Sequence, residues 1–350
     1  MAVNKMIFKT LAQIAVAISF AHSLPAHANP HAIPYLATSA PQCSTLDFRQ
    51  KFALTMRNQH HMNWCFAFAT ADALQSIYQI PEPISAADIA INYSKSNWAR
   101  FLHFTRSILS SKVRHEPDQT GLVTLAAKMI QPQGYCPESA LPSEVWSKVY
   151  SDGHQESVEL LPAILDLFKL QKKVINQEIK TSEALPYFYE FAQINKSTFF
   201  NLLKTNTQKT FLESLRLQAC QGQRKSFGLS SSDRFHAKLH LRSRNTFKQM
   251  NASFEKGIPV TVDFFSRVLK NIDAPTHIFK AYHTVLLYGR AYDPEQKECR
   301  YLMKNSYGES CNDYDSRLKC EKGYLWIPEH ALFKSMTTQV LFTQFPQKSL

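Results

Sequence analysis

Glycine is scarce in this sequence, with 9 residues in a chain of 350. Average usage would give roughly 25, so collagen-like and glycine-rich repetitive classes are excluded. Beyond the N-terminal segment, no stretch reaches about 18 consecutive apolar residues, which excludes a protein with several membrane-spanning helices. Charged residues make up 19% and hydrophobic residues 44%, a composition typical of a globular chain and not of a disordered one. The length allows one large domain or two ordinary ones.

Residues 1–28 have the pattern of a secretory signal peptide. Lys5 and Lys9 accompany a short apolar core at 11–20, and Ala26-His27-Ala28 forms a small-x-small cleavage site. The apolar core is too short to cross a bilayer as a helix. We therefore predict cleavage before Asn29, a secreted or periplasmic mature protein, and no membrane span after cleavage. Residues 29–42, rich in proline and alanine, are predicted to be an N-terminal tail.

The positive charge of the chain is concentrated in one stretch. Removing the two lysines of the signal peptide lowers the formal net charge from +12 to +10. Residues 216–248 contain eight Lys or Arg residues and one acid, Asp233. Such a stretch is either a solvated face that aids solubility or a site for an anionic surface or an acidic partner. No fold signature of nucleic-acid binding accompanies it, so nucleic acid is not an expected partner.

The periodicity of apolar residues changes along the chain and predicts an α+β fold, plausibly in two lobes. Helices are predicted at 64–78 with Asn63 as N-cap, at 122–130, at 158–179, in two stretches within 197–217, and at 246–255. Strands are predicted at 235–242, 260–265, 281–288 closed by Gly289, 300–304 and 324–327. The helices dominate the first half and the strands the last third.

Three residues have the chemistry of a nucleophilic site. Cys65 lies at the predicted start of a buried helix, where partial positive charge lowers the pKa of a thiol. His283 lies in an apolar strand, and Asn305 follows Lys304. A nucleophilic cysteine requires a base, and the base requires an orienting partner. Taken singly, each residue has a plainer interpretation: a buried thiol, a core histidine and a turn asparagine.

The segments around these residues resemble those of papain-like cysteine proteases. Arg57-Asn58-Gln59-His60-His61-Met62-Asn63-Trp64-Cys65-Phe66-Ala67-Phe68 is similar to the pattern N-Q-x-x-C-G-S-C-W-A-F. His283-Thr284-Val285, with Gly289 after it, is similar to H-A-V-x-x-x-G, and Lys304-Asn305-Ser306-Tyr307-Gly308 is similar to K-N-S-W-G, followed by Gly323-Tyr324. Thr120-Gly121 stands where the family has a Gly-Gly substrate-binding strand. The blocks occur in the family's order.

The resemblance has departures. Met62 replaces a cysteine that forms a disulfide in the family, and Phe66 and Tyr307 replace tryptophans. His283 and Asn305 follow Cys65 by 218 and 240 residues, where the family spacing is roughly 130–150. The excess is placed at about 156–233 and is predicted to be a helical, partly basic insertion. The short distance from the predicted cleavage site to Cys65 leads us to expect no large N-terminal propeptide.

The resemblance implies a function as well as a fold. It implies a helical lobe facing a β-barrel-like lobe within a catalytic domain at 43–350. It also implies a peptidase that acts on peptides or proteins and needs no cofactor or metal. The implied catalytic residues are Cys65, His283, Asn305 and Gln59, and the implied substrate-binding residues are Gly121, Trp64, Tyr307 and Tyr282. The alternatives are a non-catalytic or latent binding protein that uses the basic insertion, and another Cys–His acyltransferase or amidase.

All seven cysteines lie in the predicted mature chain, and an oxidising compartment favours disulfides. The number is odd, which supports Cys65 as the free thiol. The other six allow 15 connectivities. Cys311 and Cys320 flank a short polar loop and are the favoured local pair. The pairs Cys43–Cys299 and Cys136–Cys220 would complete one of the possible sets.

Overall fold

A computed structural model describes eight parts of the chain. All of them belong to the compact unit Ala37–Leu350. The predicted signal peptide, most of the predicted tail, Met62 and Thr120 lie outside the described residues. The described ranges are 38–39, 43–59, 63–95, 121–143, 163–227, 235–243, 245–274 and 282–344.

Helices occupy most of the described residues before residue 221. Ten α-helices occur in the described ranges: α1 Arg49–Phe52, α2 Cys65–Ile77, α3 Ala86–Ser94, α4 Val123–Ile130, α5 Ala163–Ile175, α6 Thr181–Ala192, α7 Lys196–Leu203, α8 Gln208–Cys220, α9 Thr246–Glu255 and α10 Glu329–Ser335. None of them, as far as the chain is described, is long and apolar enough to cross a membrane.

The strands of the described chain form one antiparallel sheet. They are β1 Leu46–Asp47, β2 Phe235–Leu241, β3 Val260–Phe265, β4 Tyr282–Asp293, β5 Glu298–Lys304, β6 Lys319–Glu321, β7 Tyr324–Pro328 and β8 Met336–Gln344. Their order is β2-β8-β3-β4-β5-β7-β6, and β1 pairs with β4. The predicted α+β class is therefore confirmed. Helix α2 packs against β4, near the middle of the sheet, and this contact positions the site described below.

Strand β4 continues beyond the point at which the sequence predicts its end. The prediction that Gly289 closes the strand is wrong, because β4 extends to Asp293. Gly289 pairs with Asp47 of β1, and a Cβ atom at Gly289 would lie 2.7 Å from the carbonyl oxygen of Leu46. The absence of a side chain therefore allows β1 to approach β4 closely, which is a use of glycine within a strand.

Three disulfides join the six cysteines other than Cys65. The pairs are Cys43–Cys299, Cys136–Cys220 and Cys311–Cys320, and Cys65 is a buried free thiol. The sequence favours the local pair Cys311–Cys320, and the other two pairs form one of the sets that it leaves open. Two of the bridges connect distant parts of the chain, with sequence separations of 256 and 84.

Four helices, α5 to α8, lie between residues 163 and 220, within the stretch 156–233 where a helical insertion is predicted. Helix α6 is absent from the prediction. Pro186 lies within it and removes a backbone donor. Packing compensates for this loss. The fully buried ring of Phe188 contacts Phe199 and Phe211, with ring centroids 4.6 and 6.2 Å apart.

The basic stretch 216–248 is partly engaged in ion pairs. Arg216 and Arg224 donate to the fully buried carboxylate of Asp88 at 2.6 and 2.7 Å. Lys225 pairs with Glu82 at 2.5 Å. These cations therefore tie the C-terminal end of the helical segment to α3 and its preceding loop. An anionic surface or acidic partner at 216–248 stays a prediction.

Candidate active site

Cys65 is the first residue of α2. The helix forms readily because its sequence is rich in alanine, and nearly all of its side chains are buried. The carbonyl of Trp64 accepts from the amides of Ala67 and Phe68 at 2.7 and 3.1 Å. The prediction of Asn63 as N-cap is wrong, since Trp64 holds that position and makes no side-chain capping bond. The first amides of a helix have no partner within it, so the thiol lies among backbone donors.

His283 and Asn305 form a buried hydrogen-bonded pair. The Nε2 atom of His283, on β4, lies 2.7 Å from Oδ1 of Asn305, which directly follows β5. Asn305 in turn donates from Nδ2 to the hydroxyl of Tyr314 at 2.9 Å, which fixes the orientation of the amide. Because the amide oxygen only accepts, Nε2 carries the proton and the lone pair of the neutral imidazole is on Nδ1. This is the tautomer that can accept a proton at Nδ1.

Gln59 lies on a short extended segment that pairs with the chain after Asn305. Its backbone amide donates to the carbonyl of Ser306 at 2.7 Å, and Asn58 bridges to Tyr307. The hydroxyl of Ser306 also donates to Oε1 of Gln59. With the oxygen so engaged, the amide nitrogen is the end of the side chain that acts as donor. Gln59 and Asn305 therefore lie in the same region of the structure, and an oxyanion role for Gln59 stays a prediction.

The imidazole of His283 lies between two aromatic rings. Tyr307 stacks on it with centroids 4.4 Å apart and an interplanar angle of 23°. Phe264 of β3 contacts it edge-on at 5.7 Å. Tyr307 is 37% exposed, and Tyr282, the residue before His283, is 43% exposed. These two tyrosines therefore present aromatic surface to solvent. Aromatic surface beside a buried polar pair is suited to contact with a ligand.

Burial determines the protonation of the two titratable groups. It raises the pKa of the Cys65 thiol to about 11, and the charge of Asp263 adds to this effect. It lowers the pKa of His283 to about 4, although the hydrogen bond with Asn305 acts in the opposite direction. The sequence-based prediction of a lowered thiol pKa is therefore wrong. Desolvation of the thiolate outweighs the favourable dipole of the helix. At neutral pH, both groups are uncharged.

A buried ion cluster holds the elements of the site together. Asp72 of α2 accepts from Arg57 at 2.7 Å and from Lys304 at 2.6 Å. Arg57 precedes Gln59 by two residues, and Lys304 precedes Asn305 by one. Burial opposes the charged form of Asp72, but the charges of Lys304 and Arg57 outweigh it and hold the pKa below its ordinary value. One carboxylate therefore connects the helix of Cys65 to the segments of Gln59 and Asn305.

Two of the predicted substrate-binding residues, Trp64 and Gly121, lie in the packing around the start of α2, where Trp64 is buried and Gly121 is half-buried. Trp64 is 2% exposed. Gly121 lies directly against the ring of Phe66, the residue after Cys65, and a Cβ atom there would lie 2.5 Å from the ring. The backbone of Gly121 is thus brought close to the start of α2. A role of these two residues in substrate binding stays a prediction, as it does for Tyr282 and Tyr307.

Replacing Gly121 with alanine is expected to lower the free energy of unfolding by about 1–3 kcal/mol, because the added methyl group overlaps a buried ring. Chemical denaturation measures this change. The double variant Gly121→Ala with Phe66→Leu should recover part of the loss, since the smaller side chain makes room. Equal stability of Gly121→Ala and the wild type would contradict the packing described.

Three residues near the site are not among the catalytic and substrate-binding residues predicted from the sequence. Tyr314 orients Asn305, while Thr284 and Asp263 lie beside Cys65. Thr284 follows His283 directly, so its position next to the site could have been inferred. Asp263 and Tyr314 reach the site through strand register and a loop, and no local pattern indicates this.

Comparisons with known proteins give structural matches only. No protein-family model and no curated protein matches the chain. A recombinant stem bromelain precursor is 15% identical, with 87% of this chain and 74% of that one covered and a TM-score of 0.43. The bromelain protease from Ananas comosus is also 15% identical, with 85% and 97% covered and a TM-score of 0.41. A cysteine protease from Carica candamarcensis is 15% identical, with 86% and 98% covered and a TM-score of 0.42.

Proposed function

We propose that the protein is a papain-like cysteine peptidase that hydrolyses peptide bonds with Cys65, His283 and Asn305. The observation that carries this proposal is the buried hydrogen bond between His283 and Asn305, which orients an imidazole next to the residue that contacts the free thiol. A thiol, a base and a group that fixes the tautomer of the base are the components of nucleophilic catalysis.

The protonation states define the first chemical step. Since thiol and imidazole are both neutral at rest, Nδ1 of His283 accepts the thiol proton as the sulfur of Cys65 attacks the peptide carbonyl. The resulting oxyanion accepts hydrogen bonds from the side-chain amide of Gln59 and the backbone amide of Cys65. The imidazolium then donates its proton to the leaving amine, which departs and leaves a thioester.

The second step regenerates the enzyme. A water molecule loses a proton to His283 and attacks the thioester carbonyl, and the imidazolium returns this proton to the departing sulfur. Asn305 keeps the imidazole in the Nε2-protonated form throughout, because its amide oxygen accepts from Nε2 in both protonation states. The thiol and the neutral imidazole are restored.

The substrate is proposed to lie extended between a helical lobe, which includes α2, and a barrel-like lobe formed from the sheet. The exposed faces of Tyr282 and Tyr307 and the backbone of Gly121 are the surfaces we assign to it. Peptides bind enzyme clefts through backbone hydrogen bonds combined with side-chain pockets. No cofactor takes part in this scheme.

An oxidising compartment is part of the proposal. The structure contains three disulfides, and such bonds form and persist in secreted and periplasmic proteins. Together with the signal-peptide pattern at 1–28, they support secretion.

A non-catalytic binding protein is the weaker alternative. It would use the basic insertion as its working surface, yet Arg216 and Arg224 are directed at the buried Asp88. Two cations of the basic stretch are therefore already paired with a buried carboxylate, which weakens this alternative. Another Cys–His acyltransferase or amidase would share the site chemistry and would be distinguished by its substrate.

The test is cleavage of a diverse peptide mixture, read by mass spectrometry, before and after reversible blocking of the free thiol with a thiosulfonate. We expect new peptide termini from the untreated protein, none from the blocked protein, and recovery when a mild reductant removes the block. Recovery controls for unfolding. Cleavage that survives blocking would exclude Cys65 as nucleophile, and no cleavage in any state would favour the binding protein.

A further inference from the structure

The chain after Asn305 contains a short loop closed by a disulfide. Cys311 and Cys320 form this bridge and are separated by 9 positions in the sequence. Cys320 lies in β6, which pairs with β7, so one end of the loop is fixed to the sheet. We call residues 311–320 the disulfide loop. It carries Tyr314, whose hydroxyl accepts a hydrogen bond from Asn305.

Asp315 attaches the disulfide loop to the turn that follows β3. Its amide donates to the carbonyl of Leu269 at 2.7 Å, and its carboxylate accepts from the amide of Ile272 at 2.8 Å. Arg317 pairs with the same carboxylate at 2.7 Å. The hydrogen bonds from Arg317 and Ile272 hold the pKa of Asp315 well below its ordinary value, so the carboxylate stays charged at neutral pH. Because Asp315 follows Tyr314 directly, these contacts restrict the position of the tyrosine.

The hydroxyl of Tyr314 contacts one end of a buried amide. Asn305 donates to it from Nδ2 at 2.9 Å, while Oδ1 of Asn305 lies 2.7 Å from Nε2 of His283. Of the residues that the structure describes, Tyr314 is the sole partner of Nδ2. Asn305 is fully buried and Tyr314 is half-buried, so solvent reaches the phenol but not the amide. A buried donor that loses its partner is costly, and the contact therefore stabilises this orientation of the amide.

The orientation of the Asn305 amide determines the tautomer of His283. Rotation of the amide by 180° would direct Nδ2 at Nε2 of the imidazole. Nε2 would then have to accept a hydrogen bond, and the ring proton would move to Nδ1. In that tautomer, Nδ1 has no lone pair for the thiol proton. The two orientations occupy nearly the same volume, so the contact at the far end of the amide decides between them.

We propose that Tyr314 is a positioning residue of the proposed active site, and that the disulfide loop fixes its hydroxyl opposite Asn305. Tyr314 acts on the imidazole through the amide and is not one of the reacting groups. For its effect on catalysis, this inference rests on the proposed function. Its effect on the tautomer of His283 does not depend on peptide cleavage.

The first test replaces Tyr314 with phenylalanine, which removes the hydroxyl and keeps the ring. With ¹⁵N-labelled histidine, the ring nitrogens of His283 should have the chemical shifts of one Nε2-protonated form in the wild type. In Tyr314→Phe they should have those of a tautomer mixture. The signal is assigned by its absence from His283→Gln. On a peptide substrate, kcat should fall about 2- to 10-fold, the range of one neutral hydrogen bond, with KM nearly unchanged.

Tyr135→Phe is the matched control for this test. It removes a tyrosine hydroxyl that donates to Glu82 at 3.1 Å, in the chain before α3, and should change neither the tautomer nor kcat. Near-ultraviolet circular dichroism verifies that both variants are folded.

The second test removes the bridge. The double variant Cys311→Ser, Cys320→Ser should change the tautomer and kcat in the same direction as Tyr314→Phe. The triple variant should lose little more activity than either parent, because the bridge acts through the tyrosine. The same spectroscopic control verifies folding.

Each result supports or overturns the proposal. A pure Nε2-protonated form in Tyr314→Phe would mean that the hydroxyl serves either end of the amide equally, and would overturn it. An unchanged tautomer in the folded double variant, or losses that add in the triple variant, would overturn the role of the disulfide loop. A tautomer mixture in Tyr314→Phe of a protein that cleaves no peptide would support this proposal and refute the proposed function.

Discussion

Replacing Cys65 with alanine is expected to reduce the rate of peptide cleavage at least about 10⁴-fold. The substitution removes the atom that forms the acyl intermediate, and residual rates after loss of a triad member come from substrate binding and the oxyanion donors alone. The comparison is made by measuring kcat/KM on any peptide identified as a substrate. Activity within about tenfold of the wild type would exclude the thiol mechanism.

The matching variants His283→Ala and Asn305→Ala test the pair that carries the proposal. His283→Ala should approach the loss of Cys65→Ala, and the double variant should add little, because the two residues act as one unit. Asn305→Ala should lower activity less, since it removes orientation and not chemistry. The Cys65→Ala protein should remain folded, because deleting one small buried side chain costs only about 1 kcal/mol or slightly more.

Replacing Asp72 with asparagine is expected to lower the free energy of unfolding by about 3–5 kcal/mol. Asp72 is the shared partner of Arg57 and Lys304, and all three side chains are buried. Neutralising the carboxylate removes the charge that Asp72 gives to both buried cations, although Arg57 keeps its ion pair with Glu138. Removing one partner is the costly way to break a buried ion pair. Urea denaturation at neutral pH measures the loss.

The control is an exposed ion pair on the same chain. Asp273 binds Arg317 with a side chain that is 71% exposed, so Asp273→Asn should cost less than about 1 kcal/mol. Similar losses in the two variants would contradict the role assigned to burial.

The pH dependence has a definite sign. The pKa of Asp72 is lower in the folded protein than in the unfolded chain. The stabilisation that the Asp72 carboxylate adds to the free energy of unfolding is therefore complete above the ordinary carboxyl pKa of about 4. It is lost as the pH falls through the lower pKa of the folded protein.

The sequence predicts which residues meet in the site better than it predicts their chemical state. Cys65, His283 and Asn305 were recognisable because nucleophile, base and orienting amide occur within short, distinctive segments, and the structure pairs His283 with Asn305. The pKa of Cys65 was predicted in the wrong direction, because burial and the charge of Asp263 arise from strand register across β3 and β4. Neither effect leaves a local pattern in the sequence.

Two elements show how tertiary contacts override local signals in the fold. Pro186 argues against a helix, yet α6 forms around it because Phe188 is buried against other rings. Gly289 argues for the end of a strand, yet β4 continues because β1 needs the space that a side chain would fill. The disulfide connectivity was one of 15 arrangements, and choosing between them requires three-dimensional distances.

The nested disulfides determine what a single break in the backbone would do to this molecule. The Cys136–Cys220 loop lies entirely within the loop closed by Cys43–Cys299. Hydrolysis of one peptide bond between residues 136 and 220 would therefore give two polypeptides joined by two covalent bridges. Such a nicked protein would migrate as one species on a denaturing gel without reductant and as two with it. The helices α5 to α8 would stay covalently linked both to the segment that carries Cys65 and to the segments that carry His283 and Asn305.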